Sequence, residues 1–334
     1  MRELGIRNYE CRNEGMEKSM AVFHQPVLVK EVCSLLQPRP GDVMVDLNLG
    51  TGGHSLALIE ASERQGHLIS FDLDEVMIET ARERFCAGGV PEGVYTFVHA
   101  NHGDVAEVLA SRGITQVDKI LMDLGASSIH FDDPERGFSC QVDGPLDMRY
   151  DRSEGDTAAD IVNGWDEEDL ANLFYEEGDE KWSRRMAKRI VERRAERKFE
   201  RTQDLASVIA GSIPRKLWPP KIHPATRVFL ALRVAVNGEV AALRNGMESA
   251  LKLLAPGGRL AVITFQSHED RTVKRKFREV CSDVVDQNDP FGRVQEKAKF
   301  KDLARRPLVA SAEEEQENPR SRSAKLRGVE KIRN

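Results

Sequence analysis

Three carboxylates that follow short apolar runs are the residues best suited to chemistry in this sequence. Asp46 ends the first run and leads into the glycine-rich turn Gly50–Gly53. Asp72 ends the second run, about 20 residues beyond the glycines, and Asp123 ends the fourth. Glycines let a backbone approach a ligand closely, and the first N–H groups of the helix that follows attract negative charge. The pattern predicts a nucleotide-type site in which Asp72 accepts both ribose hydroxyl hydrogen bonds.

The glycine pattern by itself does not identify the nucleotide. Dinucleotide enzymes use Gly-x-Gly-x-x-Gly, and here Gly50 and Gly52 fit whereas Ser55 takes the third position. A tight structural turn is the alternative explanation for the glycines, and a capping role is the alternative for Asp123. The glycines and Asp72 together favour a site, but they leave NAD and S-adenosylmethionine both open.

The candidate residues lie at the ends of a series of predicted strands. Apolar runs bounded by Gly, Asp or Asn predict buried strands, and the amphipathic stretches between them predict helices. The alternation predicts an α/β fold with a mostly parallel sheet covered by helices. The predicted strands are Val43–Leu49, His67–Phe71, Tyr95–His99, Lys119–Leu124 and Arg259–Phe265. The predicted helices include His54–Glu63, Glu75–Cys86 and a long amphipathic run over Thr226–Leu254.

The gap between the fourth and fifth strands is too long for an ordinary crossover and predicts an inserted, small all-helical domain. In it, Asp166 is a candidate N-cap, residues 180–198 read as a helix, and Thr202 opens another. We therefore divide the chain into four parts. They are an uncertain N-terminal extension (1–20), a sheet domain (21–132 and 221–290), the helical insertion (133–220) and a polar, basic tail (291–334) expected to be exposed and mobile.

The composition is that of a globular protein without a membrane span. Of 334 residues, 31% are charged and 40% are hydrophobic, and no apolar run reaches the roughly 18 residues that a span needs. The first 20 residues lack the apolar core of a secretory signal, so we expect a cytoplasmic protein. Scattered cysteines predict neither a disulfide framework nor a metal site. They are Cys11, Cys33, Cys86, Cys140 and Cys281.

A series of sequence blocks, in conserved order from Phe23 to Arg327, resembles the bacterial small-subunit (16S) ribosomal RNA cytosine-N4 methyltransferases. The blocks are FHQPVLVKEV (23–32), DLNLGTGGHS (46–55), LMDLGASS (121–128), DDPERGFS (132–139), DGPLDMR (143–149), RRMAKRIVERR (184–194), HPATRVFLALRVAVN (223–237), LAPGGRLAVITF (254–265), EDRTVKRKFR (269–278) and NPRSRSAKLR (318–327). The resemblance implies a class I, Rossmann-like methyltransferase fold with S-adenosylmethionine as cofactor. It implies methylation of the exocyclic N4 amine of a cytidine, with residues 133–220 as the substrate-recognition domain.

The resemblance also implies roles for individual residues. Gly52, Gly53 and His54 would contact the methionine end of the cofactor, Asp72 the ribose, and Asp123 the transferring methyl group as the catalytic residue. His102 stands where the family usually has a Phe that packs on adenine, and His130 where Gln is common. Both are therefore expected at the cofactor. Two further departures are Asn48, where Thr is common, and Gln266 in a block that usually reads FHSL.

Local charge predicts an RNA partner although the net charge is −6. Residues 184–201 carry nine Lys or Arg against three Glu, and residues 318–334 carry six against one acid. Such segments suit RNA phosphates, whereas a solvated helix face is the alternative. The expected partner is small-subunit ribosomal RNA or the 30S subunit, with no membrane, and a homodimer is compatible with the sequence.

Other functions remain open at this point. A DNA or other RNA amino-methyltransferase is disfavoured because DNA enzymes usually carry Pro-Pro-aromatic after the strand-four acid, and here Leu124-Gly125-Ala126 follows. A divergent paralogue that methylates another RNA, or that binds S-adenosylmethionine and RNA without activity, is an alternative suggested by His102, His130 and Gln266. A nicotinamide dehydrogenase fits worst, because Ser55 breaks its glycine pattern.

Overall fold

The computed structural model describes residues 25–285 and 294–333, so the N-terminal extension 1–20 lies outside the described residues. Seven strands form one sheet, and two form a separate ribbon. The strands are β1 (Val43–Asp46), β2 (His67–Asp72), β3 (Tyr95–His99), β4 (Val117–Asp123), β5 (Leu254–Thr264), β6 (Val284–Val285), β7 (Val294–Glu296), β8 (Phe300–Asp302) and β9 (Lys325–Lys331). The predicted strands are all present, with ends shifted by a few residues.

The strand order in the sheet is β3-β2-β1-β4-β5-β9-β8. The first five of these strands are parallel, and β9 runs antiparallel to both β5 and β8. The order reverses between β1 and β4, and ligands of open α/β sheets bind beyond the carboxyl ends of the strands at such a point. This topology confirms the predicted Rossmann-like α/β fold with a mostly parallel sheet.

Helices cover both faces of the sheet because successive side chains of a buried strand point to opposite faces. Met44 and Leu68 pack in one apolar layer, whereas their neighbours Val45 and Ile69 pack in the other. The helices are α1 (Val29–Leu36), α2 (Gly53–Ala61), α3 (Glu75–Ala87), α4 (Val105–Ser111), α5 (Ser128–Asp132), α6 (Ala158–Gly164), α7 (Glu167–Glu176), α8 (Ser183–Glu196), α9 (Thr202–Gly211), α10 (Thr226–Val236), α11 (Glu239–Leu253), α12 (Ser267–Val280) and α13 (Ala312–Glu317).

The segment between β4 and α11 has an apolar core of its own. Helices α6 to α9 bury Phe174, Ile190 and Phe199 in this core, all of them fully shielded from solvent. Helix α10 joins the same core through Phe229 and Leu232, although the predicted insertion ends at residue 220. Its apolar face completes a cluster that the preceding helices alone leave open.

The long amphipathic run predicted over residues 226–254 is two helices rather than one. Helix α10 ends at Val236, and α11 begins at Glu239. Between them Gly238 adopts a φ of +59°, a left-handed conformation that glycine tolerates better than other residues. The break turns the chain from the helical core back to the sheet, and it places Asn237 and Glu239 at the bend.

The expectation of an exposed C-terminal tail is wrong for β9, although most residues of the preceding segment 311–323 are exposed. Strand β9 lies inside the sheet, with Leu326 and Val329 buried. Gly328 passes so close to Leu35 that a Cβ atom would clash with that side chain. Sequence analysis did not predict β9 because the segment is rich in basic residues. In the structure, Lys325 and Arg327 are paired with Asp270 of α12. These cations are therefore not a free RNA-binding surface.

Candidate active site

A cleft of roughly 970 Å³ opens where β1, β2 and β4 end, at the reversal of strand order. It is lined by Gly53, His54, Asp72, His102, Asp123 and His130, six of the seven residues predicted to bind the cofactor. The strands place these side chains together because the carboxyl ends of parallel neighbours meet at one edge of the sheet. The predicted residues are thus assembled at one site, although they span 78 positions of the chain.

The glycine turn shapes the floor of the cleft. Gly52 has a φ of +76°, and a Cβ atom there would lie 3.0 Å from Cβ of Ala81. A Cβ atom on Gly53 would lie 2.8 Å from Pro26. Gly52 faces helix α3 and does not line the cleft, whereas Gly50 and Gly53 do. Of the two glycines predicted to contact the cofactor, only Gly53 therefore lines the cleft.

Asp72 ties the glycine turn to the end of β2. Its carboxylate accepts hydrogen bonds from the N–H of Gly50 at 2.8 Å and from the N–H of Asp74 at 2.9 Å. Burial raises the pKa of Asp72, and the two N–H groups act in the opposite direction. Each carboxylate oxygen retains a second lone pair, so Asp72 can still accept hydrogen bonds from a ligand in the cleft.

His54 joins the start of α2 to the ends of two other segments. Its Nε2 lies 2.7 Å from the carbonyl of Val27, and its Nδ1 lies 3.2 Å from Oδ2 of Asp123. Burial lowers the pKa of His54, but the Asp123 carboxylate outweighs it, so the pKa is raised overall. A protonated imidazole would donate to both partners, with a charge-assisted hydrogen bond to Asp123 at the end of β4.

A buried polar network lies beneath this pair. Asp46, at the end of β1, is fully buried and accepts a hydrogen bond from the hydroxyl of Ser55 at 2.7 Å. The hydroxyl of Ser55 lies 2.9 Å from that of Ser70 on β2. Burial raises the pKa of Asp46 to about 7. The Asp46 carboxylate stabilises the turn after β1 from the interior of the protein, and it does not line the cleft.

His102 and Asn48 form a pair in the wall of the cleft. The amide nitrogen of Asn48 lies 3.4 Å from Nδ1 of His102. Burial lowers the pKa of His102 to about 4, so the ring is neutral near pH 7. If the amide donates to Nδ1, the ring proton sits on Nε2, an atom with no partner among the described residues. Helix α11 can approach the His102 ring closely because residue 246 is a glycine. A Cβ atom on Gly246 would lie only 2.9 Å from the imidazole.

His130 lines the cleft with its ring, but both its nitrogens are engaged by protein. Nδ1 accepts the N–H of Ser127 at 3.1 Å, and Nε2 lies 2.8 Å from Asp74. Arg136 donates to the same Asp74 oxygen at 2.6 Å. Phe138 stacks on the His130 ring with a centroid distance of 5.1 Å. Both ring nitrogens thus connect segments of the protein, and only the ring itself is left to face a ligand.

Sequence analysis did not predict three residues that line the cleft, Tyr150, Asn237 and Glu239. They come from opposite ends of the segment that forms the helical core, far apart in the chain. Tyr150 is half-buried, its N–H donates to Asn237 at 2.7 Å, and its hydroxyl donates to Glu239 at 3.1 Å. Glu239 also holds Arg233 through two hydrogen bonds of 2.8 Å. The only local signal was the Asn-Gly break between α10 and α11, which marks a turn but not its partners.

A second cavity of roughly 780 Å³ adjoins the cleft and leads toward the insertion. It shares Asn48, His102 and Tyr150 with the cleft and is lined farther out by Glu177 of the insertion and His268 of α12. The last two side chains face each other at 4.0 Å. The arrangement offers two connected chambers, one at the strand ends and one between the sheet and the helical insertion.

Unpaired polar atoms concentrate at this site. Among the described residues, five buried side-chain polar atoms lack a hydrogen-bond partner, and four of them belong to residues that line the cleft. They are Asn48 Oδ1, His102 Nε2, Asp123 Oδ1 and Ser127 Oγ. An unmet buried polar group costs about 1–3 kcal/mol, so this clustering indicates a ligand that carries several donors and acceptors. The described residues contain no His, Cys, Asp or Glu cluster that could hold a metal ion.

Comparison with known proteins agrees with this geometry. The model of the MraW methylase family matches residues 21–332. The chain belongs to the MraW methylase family. A ribosomal RNA small subunit methyltransferase H from Geobacter sulfurreducens is 45% identical over 94% of this chain and 100% of its own length. The enzyme of the same name from Citrifermentans bemidjiense is 46% identical over 92% of this chain and 98% of its own.

The match to the MraW methylase family covers both the sheet domain and the insertion, including the β9 segment. Methylases of this family use S-adenosylmethionine, a ligand whose ribose, adenine and amino-acid groups supply the donors and acceptors that the cleft lacks. A solved rRNA methylase from Streptococcus thermophilus covers 91% of this chain and 94% of its own, with 11% identity and a TM-score of 0.40, too low for any further argument. No described helix is both long and apolar enough to cross a membrane.

Proposed function

We propose that this protein transfers a methyl group from S-adenosylmethionine to the N4 amine of a cytidine in small-subunit ribosomal RNA, in the cytoplasm. The observation that carries the proposal is Asp123. It ends the central strand β4, it lines the cleft, and its Oδ1 is a buried acceptor without a partner. An unpaired carboxylate oxygen can accept a hydrogen bond from an amine that must lose a proton. The choice of ribosomal RNA as substrate rests on the relatives, which are named ribosomal RNA small subunit methyltransferases.

The cofactor would lie along the strand ends. Asp72 would accept the ribose hydroxyls, and the Gly50–Gly53 turn with His54 would face the methionine end. His102, neutral and with an unmet Nε2, would meet the adenine edge, and the His130 ring would border the same ligand. The unpaired Nε2 of His102 supports this placement, because adenine offers it a hydrogen-bond partner.

When bound, S-adenosylmethionine supplies an electrophilic methyl group whose bonding electrons stay with sulfur. The N4 lone pair of cytosine is delocalised into the ring, so the protein has to hold the amine in line with that methyl group. Orientation of this kind can supply on the order of 7–11 kcal/mol. Asp123 would accept one N–H of the amine, stabilise the positive charge that develops as the N–C bond forms, and take up the proton released.

Helix α8 supports an RNA substrate. Arg184, Arg185 and Lys188 are exposed on it, and none of the three bonds to another described side chain. Arg193 and Arg201, counted among the same basic residues, are instead held by Asp204 and Asp143. The exposed cations would contact phosphates of the small subunit while the target base is splayed out of its stack to reach the cleft.

The test is methyl transfer to purified small subunits. Subunits from a strain that lacks this gene are incubated with the protein and labelled S-adenosylmethionine, and the nucleosides are analysed by mass spectrometry. We expect N4-methylcytidine in stoichiometric amount. Cofactor binding without incorporation would contradict the proposal and favour a silent binding protein. Methylation of another base or position would contradict the target.

A further inference from the structure

A second unpaired acceptor stands beside Asp123. Asp46 of β1 pairs with Leu121 of β4, and two residues beyond that pair come Asn48 and Asp123. Asp123 is the last residue of β4, and Asn48 lies two residues beyond the end of the neighbouring parallel strand β1. Both side chains line the cleft, and Oδ1 of each is buried without a partner. No other pair of described residues combines adjacent strand ends with two unmet acceptor oxygens.

The orientation of Asn48 is set by its neighbour. Its amide nitrogen faces Nδ1 of His102 at 3.4 Å, so its carbonyl oxygen points away from that ring. His54 takes Oδ2 of Asp123 in the same way and leaves Oδ1. Each residue thus has one polar atom held by a histidine and one acceptor left over. The protein fixes both acceptors before any ligand arrives, which is the arrangement that favours a developing charge.

We propose that Asn48 is the second hydrogen-bond acceptor for the target amine, with its Oδ1 taking one N–H and Oδ1 of Asp123 taking the other. An exocyclic amine has two N–H donors in the plane of its base, so two acceptors hold that plane and leave the nitrogen lone pair perpendicular to it. Asn48 also lines the adjoining cavity, which is the side from which a base would enter. This inference rests on the proposed function, because it takes the substrate to be an amine.

The pairing also bears on substrate selection. A base that presents a carbonyl oxygen in place of the amine, such as uracil, would set an acceptor against two acceptors and leave both unpaired. Sites built around buried hydrogen bonds reject analogues that cannot make them. Asn48 would thereby contribute to the choice of cytidine as well as to the orientation of its amine.

The experiment compares the variants Asn48→Thr and Asn48→Val, which have the same shape and differ in one hydroxyl oxygen. Neither variant keeps the amide nitrogen that faces His102, so their difference reports on the hydroxyl group. Single-turnover methyl transfer to small subunits is measured beside the binding of S-adenosylhomocysteine by calorimetry. We expect Asn48→Val to be slower than Asn48→Thr by roughly 10²-fold, with dissociation constants for S-adenosylhomocysteine within about twofold of each other.

Equal rates for the two variants would overturn the inference, since the oxygen would then serve no step. A loss of S-adenosylhomocysteine affinity as large as the loss of rate would also overturn it, because the oxygen would then face the cofactor. Failure of the proposed function is distinguishable from both results. In that case the wild-type protein itself would form no N4-methylcytidine.

Discussion

Nδ1 of His54 lies 3.2 Å from Oδ2 of Asp123, and this contact joins the first helix after the glycine turn to the end of the central strand β4. The same imidazole is held from behind by the carbonyl of Val27. The histidine therefore has no polar atom to offer to a substrate. Its effect is to occupy one oxygen of Asp123 and leave the other directed to the cleft.

Replacing Asp123 with Ala should lower the rate of methyl transfer by roughly 10²-fold or more, because the acceptor for the amine is lost. The pKa of His54 should fall at the same time, since burial lowers it and the Asp123 carboxylate no longer opposes burial. Single-turnover kinetics and an NMR titration of His54 measure the two effects. A normal rate in the presence of a lowered His54 pKa would show that Asp123 only positions the histidine.

Replacing Asp72 with Ala should weaken cofactor binding more than it slows the chemical step. Hydrogen bonds to a charged group contribute about 1.5–3 kcal/mol each, so we expect the dissociation constant for S-adenosylmethionine to rise by roughly tenfold to 150-fold. The matched control is Asp118→Ala. Asp118 accepts the N–H of Val43 at the opposite end of β1, 2.9 Å away, and its loss should leave affinity unchanged. Calorimetry on both variants decides, and unchanged affinity in Asp72→Ala contradicts the ribose assignment.

Acid should destabilise the protein through His102. Its pKa is about 4 in the folded state, against 6.5 for a free histidine, so the unfolded chain takes up the proton first as pH falls. The stability that this group contributes above pH 6.5 is then lost as pH drops toward 4. Between pH 7.5 and 5 the loss should reach about 2 kcal/mol. His102→Phe should remove this part of the pH dependence in urea unfolding, and parallel profiles for the two proteins would contradict it.

Neutralising the exposed cations of α8 should weaken RNA binding in a salt-dependent way. In the triple variant Arg184→Gln, Arg185→Gln, Lys188→Gln, the slope of log affinity against log salt should shrink by about 2–3, since each phosphate contact contributes roughly 0.7–0.9. The control removes the same number of charges near β8, with Lys301→Gln, Arg305→Gln and Arg306→Gln, and should keep the wild-type slope. Filter binding of small-subunit RNA measures both, and equal slopes for the two variants would exclude α8 as the contact surface.

Local sequence patterns were enough to predict the five parallel strands, the glycine turn and the positions of Asp72 and Asp123. A buried parallel strand needs a run of apolar residues, and its carboxyl end is marked by the polar residue that follows, so both signals are contiguous. The helices α7, α8 and α9 were predicted for the same reason, from the spacing of their apolar residues.

The strand β9 and the upper wall of the cleft could not be predicted in this way. The residues of β9 are rich in charge, and they become a strand only because Asp270 neutralises Lys325 and Arg327 and because β5 offers an unpaired edge. Tyr150 reaches the cleft only through Asn237 and Glu239, almost 90 residues away in the chain. Neither the ion pairs of Asp270 nor the hydrogen bonds of Tyr150 produce a pattern of apolar spacing that sequence analysis could detect.

By itself, the sequence determined the class of sheet, the position of its parallel strands in the chain, the presence of an insertion and the resemblance to a methyltransferase family. Only the tertiary structure decided which polar atoms are left unpaired at the strand ends. The physical reason is that hydrogen-bond satisfaction is a property of distances between segments remote in the chain. His130 is one example, because its Nε2 is engaged by Asp74. Asn48 is another, because its amide nitrogen faces His102 while its Oδ1 has no partner.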